Sequence, residues 1–160
     1  MKLRMVDRIL AWQPRRSIRG VKAVSFEEYQ LKEALAGEPC LPESLLVESL
    51  FQLGNWLVIL SSDFTEMALV VRFEEIRFPG RLWPGESLRM EVEVQSYRSD
   101  GVVLDGRGLV GARTIAEGRG CLAMPVPLAD YQDPDALRVL FSEIYLPEGG
   151  PQGSLPDAPA

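Results

Sequence analysis

The chain contains no histidine. That removes the usual base of a catalytic triad, the usual proton shuttle near neutral pH and the commonest metal ligand. Cysteine is scarce too. Cys40 and Cys121 are too few for a disulfide framework or a zinc site, so reduced thiols in a cytoplasmic protein are expected. No metal centre and no cofactor are expected. Positive charge is short: 17 Lys and Arg against 23 Asp and Glu leave a net charge of −6. A general nucleic-acid binder would carry a basic surface instead. The local basic run of Arg15, Arg16, Arg19 and Lys22 reads as a solvated turn and strand. Residues Met1–Leu10 lack the apolar centre of a secretory leader.

What the chain does have is one long apolar stretch, Pro42–Leu60 (PESLLVESLFQLGNWLVIL). A helix apolar on nearly every side is a buried helix. Pro42 suits the first helical turn, where its missing N–H costs nothing, and Glu43 follows on the favourable end of the helix dipole. The polar residues within the run form a seam. Ser44, Glu48, Gln52 and Asn55 fall on one narrow face at 3.6 residues per turn, and Glu48 is the ionisable group in it. Two readings of Glu48 stand. It is a buried carboxylate satisfied by an arginine or by backbone donors, or it is a catalytic or ligand-orienting carboxylate lining a cavity. The run nearly reaches the length of a membrane span. A glutamate near its middle and the strand-like chain that follows argue against insertion, so no membrane span is expected.

Around this helix the chain reads as strands. Val6–Trp12 and Ser17–Val24 form a pair across the turn at Pro14-Arg15-Arg16. Ser25 and Glu28 make a capping box for a short helix, and Ala34–Leu41 is a loop. After the stop at Ser61-Ser62-Asp63 the period changes to alternation. Leu69, Val71 and Phe73 are spaced by two, and Glu74-Glu75 suggests a bulge. Ser87–Gln95 is the cleanest strand, with Leu88, Met90, Val92 and Val94 on one face. Asp100-Gly101 signals a hairpin into Val102–Ala112. A turn near Glu117-Gly118 precedes a last strand, Arg119–Met124. Asp133 caps a C-terminal helix that begins with Pro134 and shows Leu137, Leu140, Phe141 and Ile144 on its apolar face. The expectation is one α+β domain over residues 1–146, a curved antiparallel sheet wrapped around one long buried helix. Residues 147–160 form a Pro/Gly-rich tail expected to be disordered. One helix and open sheet edges leave the unit short of burial, so a dimer is expected.

Three segments then match a known pattern in the right order. M-V-D-R-I-L-A-W-Q-P-R-R-S-I-R-G-V-K-A-V-S, from Met5, resembles two opening strands. G-E-P-C-L-P-E-S-L-L-V-E-S-L-F-Q-L-G, from Gly37, resembles G-x-P-x-x-P-G-x-L-x-x-E-A-x-A-Q. R-F-P-G-R-L-W-P-G-E-S-L-R-M-E-V-E-V, from Arg77, resembles R-F-x-x-P-V-x-P-G-D-x-L-x-x-E-V. Together they resemble the hotdog-fold β-hydroxyacyl-acyl carrier protein dehydratases, the FabZ/FabA family, from about Met5 to about Met124. The resemblance implies the hotdog fold and binding of an acyl thioester carried on acyl carrier protein or coenzyme A. It implies that the helix carboxylate is Glu48 and that the helix glutamine, Gln52, contacts substrate. The family's G-H-F-P-G loop reads Glu33-Ala34-Leu35-Ala36-Gly37 here, so Ala34 stands where the family has its histidine. Glu43 replaces a glycine whose neighbouring N–H groups, here those of Glu43 and Ser44, polarise the thioester carbonyl in the family. The site set implied is Glu48 as candidate catalyst, with Gln52, Ser44, Glu43, Ala34 and Gly37 around the substrate.

Dehydration needs one group to take the α-proton and one to protonate the leaving hydroxyl. Three readings follow. The chain is an acyl-binding relative without autonomous dehydratase activity, in a homodimer or paired with a histidine-bearing hotdog paralogue. It is a thioesterase or dehydratase relying on Glu48. Or it is an interaction module with no ligand, whose mark would be a filled core beside Glu48.

Overall fold

The long apolar run forms helix α1, Glu43–Ser61, in the computed structural model, which describes residues 3–25 and 40–149. Leu53, Leu57 and Val58 are fully enclosed, and Leu46, Leu50 and Ile59 are nearly so. Each such side chain contributes about 1.5–3 kcal/mol by leaving water. By length and hydropathy α1 is the kind of helix that crosses membranes. Here it packs against strands from both edges of a sheet and is the core helix of the domain.

Among the described residues seven strands make that sheet, all paired antiparallel: β1 Arg8–Gln13, β2 Ser17–Ala23, β3 Glu66–Arg72, β4 Glu75–Arg77, β5 Ser87–Arg98, β6 Gly101–Val110 and β7 Arg113–Pro127. Their order is β1-β2-β5-β6-β7-β3, with β4 also on β7. A sheet whose two edge strands both touch one helix is curled around it, so the expected α+β arrangement is the one observed. On β5 the alternation holds: Leu88, Met90 and Val92 are buried, while Arg89 and Glu93 are exposed. Gly20 on β2 marks a close approach. A Cβ there would stand 2.8 Å from both the Arg8 carbonyl oxygen and Leu53 Cδ1.

Two local expectations need correction. The bulge placed at Glu74-Glu75 is a break: β3 ends at Arg72 and β4 begins at Glu75, while the register shift lies between Val70 and Arg72. The turn placed at Glu117-Gly118 is absent, because β7 runs unbroken from Arg113 to Pro127. Its irregularity is at Gly120, whose φ of +59° suits glycine and whose N–H donates to Asp105 Oδ1 at 2.8 Å. Gly118, which suggests a turn in sequence, lies within the continuous strand, and Gly120 two residues on relaxes it. The capping-box helix after Ser25 and most of the Ala34–Leu41 loop lie outside the described residues.

After a 3₁₀ turn at Leu128–Asp130, helix α2 spans Pro134–Ile144. Asp133 caps it, its Oδ1 accepting from the Asp135 N–H at 3.0 Å. Leu137 is buried, and Phe141 joins a ring cluster with Trp12, Trp56, Phe64 and Tyr145. Arg138 lies 4.3 Å over Phe64 and bonds Asp63. Asp63 and Phe64 have positive φ at the corner between α1 and β3, a conformation that costs side-chain-bearing residues energy. Past α2, Tyr145 bridges Ile9 on β1, and Glu148 pairs with Arg19 and Arg89. Gly20→Ala is expected to destabilise the domain by about 1–3 kcal/mol through overpacking. Urea unfolding checks this as a lower midpoint at unchanged slope.

Candidate functional site

The seam on α1 divides in two. Gln52 faces the N-terminal segment. Its Nε2 donates to the Leu3 carbonyl at 2.9 Å and its Oε1 accepts from the Met5 N–H at 2.8 Å. A side-chain amide thus does the work of a neighbouring strand, and Met5 is fully buried. The same Nε2 donates to Glu48 Oε1 at 2.8 Å, one helical turn back. Asn55 faces the other way, its Oδ1 accepting from the Ala68 N–H of β3 at 2.8 Å. The buried Ser49 hydroxyl is satisfied by the Leu45 carbonyl at 2.8 Å.

Glu48 is half-buried, not sealed in the core. It sits on the divide between two recesses. One, of about 390 Å³, lies between α1 and α2 and runs from Leu3 and Arg4 to Leu137 and Leu140. The other, of about 430 Å³, opens beside the first turn of α1, where Glu43 and Ser44 meet Phe51, Phe73 and Phe78. This second recess continues inward. Val47, Phe51, Phe73, Ile76 and Phe78 line both it and a narrow crevice of about 40 Å³ between α1 and the sheet. Phe51 and Phe73 stand 6.1 Å apart at its mouth. Behind them the walls are Leu50, Ala68, Leu104, Ala116 and Cys121, almost without polar surface.

The Cys121 thiol is pushed up from 9.0 to about 11, mainly by burial and then by the Asp105 carboxylate. It is therefore a neutral wall group rather than a nucleophile near neutral pH. The Glu43 and Ser44 N–H groups of α1 belong to the set a helix leaves without internal partners, whereas those of Leu45 and Leu46 donate to the Pro42 carbonyl. Glu43 and Ser44 lie at the same mouth as Glu48. The arrangement therefore combines an apolar slot, a carboxylate at its lip and helix-end donors beside it.

The structure brings Glu48, Glu43 and Ser44 to the recess at the start of α1, while Gln52, at mid-helix, lines the recess toward α2 and meets Glu48 by a hydrogen bond. Gln52 is already occupied in holding Leu3 and Met5, so its role here is to fix the N-terminal segment and orient Glu48. Ala34 and Gly37 lie outside the described residues. The aromatic mouth of Phe51, Phe73 and Phe78 was not singled out from sequence. Val47 and Phe51 were visible as an i, i+4 apolar pair flanking Glu48, but Phe73 and Phe78 reach them only through the sheet.

Gln52→Leu is expected to destabilise the fold by about 1–3 kcal/mol, since it leaves the Met5 N–H unsatisfied. Faster hydrogen exchange at the Met5 amide checks this. For Cys121 the folded value exceeds the unfolded one, so its contribution to stability is complete below about pH 9 and is lost as pH rises toward 11. Site-resolved alkylation should accordingly label native Cys121 slowly at pH 8 and markedly faster only as pH approaches 11.

Residues 1–119 match the FabA-like domain family. The 3-hydroxyacyl-[acyl-carrier-protein] dehydratase FabZ of Pelotomaculum thermopropionicum is 33% identical over 114 residues, 71% of this chain and 81% of that protein. The FabZ of Symbiobacterium thermophilum is 30% identical over 135 residues, covering 84% and 92%. Among solved structures, smu.793 from Streptococcus mutans bound to acetyl CoA superposes with a TM-score of 0.60 at 10% identity, over 75% of this chain and 88% of that one. A hot-dog-like protein from Thermanaerovibrio acidaminovorans gives 0.58 at 20% identity, over 79% and 88%. The fold is the hotdog, and the chain belongs to the FabA-like family that includes the FabZ dehydratases.

Proposed function

We propose that this chain binds an acyl thioester, carried on acyl carrier protein or coenzyme A, in fatty-acid or related acyl-chain metabolism in the cytoplasm, and that alone it does not dehydrate 3-hydroxyacyl chains. The observation that carries this reading is the position of Glu48 at the lip of an apolar crevice, beside the first turn of α1. An acyl chain gains by leaving water along Phe51, Phe73 and Phe78. Its carbonyl then lies toward the free N–H groups of the helix end, and Glu48 toward the carbons next to it. Gln52 donates to one oxygen of Glu48, which fixes the carboxylate plane. The relatives named as acyl-carrier-protein dehydratases support the same substrate class.

Elimination of water needs two proton carriers, and this chain has no histidine to act as the second. The exposed Glu43 at the mouth adds negative charge where an oxyanion would form. A second subunit can supply what is missing. β3 is an edge strand that presents Leu69, Val70 and Val71 to solvent, with Phe73 and Met124 beside them, each 38–54% exposed. Such an edge invites a further strand. The reading is therefore a dimer across β3, either with a second copy or with a histidine-bearing hotdog paralogue that completes one site opposite Glu48. Ala34 then occupies the histidine position of the other site.

A second reading keeps Glu48 as a lone general base for thioester hydrolysis. It is favoured by the same carboxylate, because activating water requires one base and no histidine.

Assays on the purified chain separate the readings. Dehydration by the homomer is expected to fall about 10²–10⁴-fold below that of a histidine-bearing relative. Activity is expected to return on co-expression with such a paralogue and to vanish on Glu48→Gln in this chain. Robust turnover by the homomer that Glu48→Gln abolishes would overturn the proposal, and hydrolysis of acyl-CoA lost on the same change would establish the second reading.

A further inference from the structure

One row of residues crosses the sheet directly beneath α1. Val92 on β5 pairs with Gly106 on β6, Gly106 pairs with Gly118 on β7, and Gly118 pairs with Ile76 on β4. Residues paired across antiparallel strands point to the same face. That face is the inner one. A Cβ at Gly106 would touch Leu50 of α1 at 3.7 Å, and Ile76 lines the crevice. Two adjacent strands therefore carry no side chain where the crevice runs, and with strands about 4.8 Å apart this opens a trough roughly 10 Å wide. Leu104 and Cys121 bound it on one side and Ala116 on the other.

The two glycines differ. A Cβ at Gly106 meets Val92 Cγ2 at 3.5 Å, whereas a Cβ at Gly118 meets nothing within 4 Å. Gly118 has no left-handed φ, unlike its neighbour Gly120. Gly20 and Gly108 are blocked by atoms at 2.8 Å, and Gly101 by one at 3.3 Å. Among the described glycines within strands, Gly118 alone has neither a left-handed φ nor a neighbour that a side chain would meet. Glycine weakens a strand interior and often marks a site where a ligand approaches closely. Here neither the backbone nor the packing calls for it, and what its missing side chain leaves is open space in the crevice. Gly118 also stands between the mouth at Ile76 and the inner end at Gly106 and Val92, so a side chain there would divide the trough.

We propose that Gly118 is the residue that sets how deep an acyl chain enters, and so the chain length this protein accepts. The inference rests on the acyl-thioester reading. The walls fit an unbranched hydrocarbon: Asp105 and Glu117 also line the crevice, but its surface is almost wholly apolar, and the Cys121 thiol is neutral near pH 7.

The test is calorimetric binding of acetyl, butyryl, octanoyl and palmitoyl thioesters, each presented on coenzyme A and on acyl carrier protein, to the native chain, Gly118→Ala and Gly118→Val. The longest chain that the native protein binds is expected to weaken by about ten-fold or more with Gly118→Val, acetyl is expected to be unchanged, and Gly118→Ala is expected to give a smaller shift in the same direction. Circular dichroism and urea unfolding establish that each variant is folded. Gly118→Ala, whose methyl meets open space, serves if the valine variant does not fold. A chain-length profile of the folded variants that superimposes on the native one overturns the role of Gly118 while leaving acyl binding intact. Failure of the native chain to bind any thioester on either carrier overturns the acyl-binding reading itself, and this inference with it.

Discussion

Burial of α1 governs everything else in this molecule. A helix with apolar side chains on nearly all sides cannot be covered by a flat sheet, which reaches only one face of it. The sheet curls so that both edges touch the helix. Leu137 and Phe141 of α2 cover the C-terminal half of the remaining face, beside Trp56. The N-terminal segment, pinned by Gln52, covers part of the other half. Among the residues that stay incompletely covered is the strip of Val47, Glu48 and Phe51, which follows the exposed Glu43 and Ser44. The candidate site is thus the part of the helix that the chain's own folding leaves uncovered.

Much of this was legible because the signals were local. The apolar run fixed the central helix, strict alternation fixed β5, and Asp133-Pro134 fixed the start of α2. The family resemblance, carried by three motif segments, added the hotdog topology and pointed to Glu48. The errors came where glycine was ambiguous. Glu117-Gly118 read as a turn before a strand that included Gly120, yet Gly118 opens the inner face of a continuous strand and Gly120 relaxes its backbone. Neither role has a sequence signature, because each depends on what lies opposite across β6 and α1. The polar seam also read as a single feature. The structure splits it, since Gln52 and Asn55 each serve a backbone group distant in sequence, and no periodicity reports where those backbones will lie.

Retention and loss are arranged in a consistent way. The chain keeps the helix carboxylate and the apolar slot, and it leaves an apolar strand edge open to solvent. It has no histidine anywhere, and it places an acidic side chain beside the helix end where a developing negative charge would form. Binding a hydrocarbon chain requires only the first set, since area removed from water supplies the driving force whether or not chemistry follows. Catalysis requires preorganised groups for both proton transfers. The proposed role, a subunit that holds substrate and contributes one carboxylate, accounts for both sets of facts.

The most direct measurement is a crystal structure of the protein with a 3-hydroxyacyl pantetheine analogue whose thioester sulfur is replaced by an amide nitrogen. The account predicts the acyl tail in the trough over Gly118 and Gly106, the carbonyl within hydrogen-bonding reach of the Glu43 and Ser44 N–H groups, and the hydroxyl-bearing carbon beside Glu48. A ligand seated in the recess between α1 and α2, with the crevice behind Phe51 and Phe73 closed and empty, would contradict it.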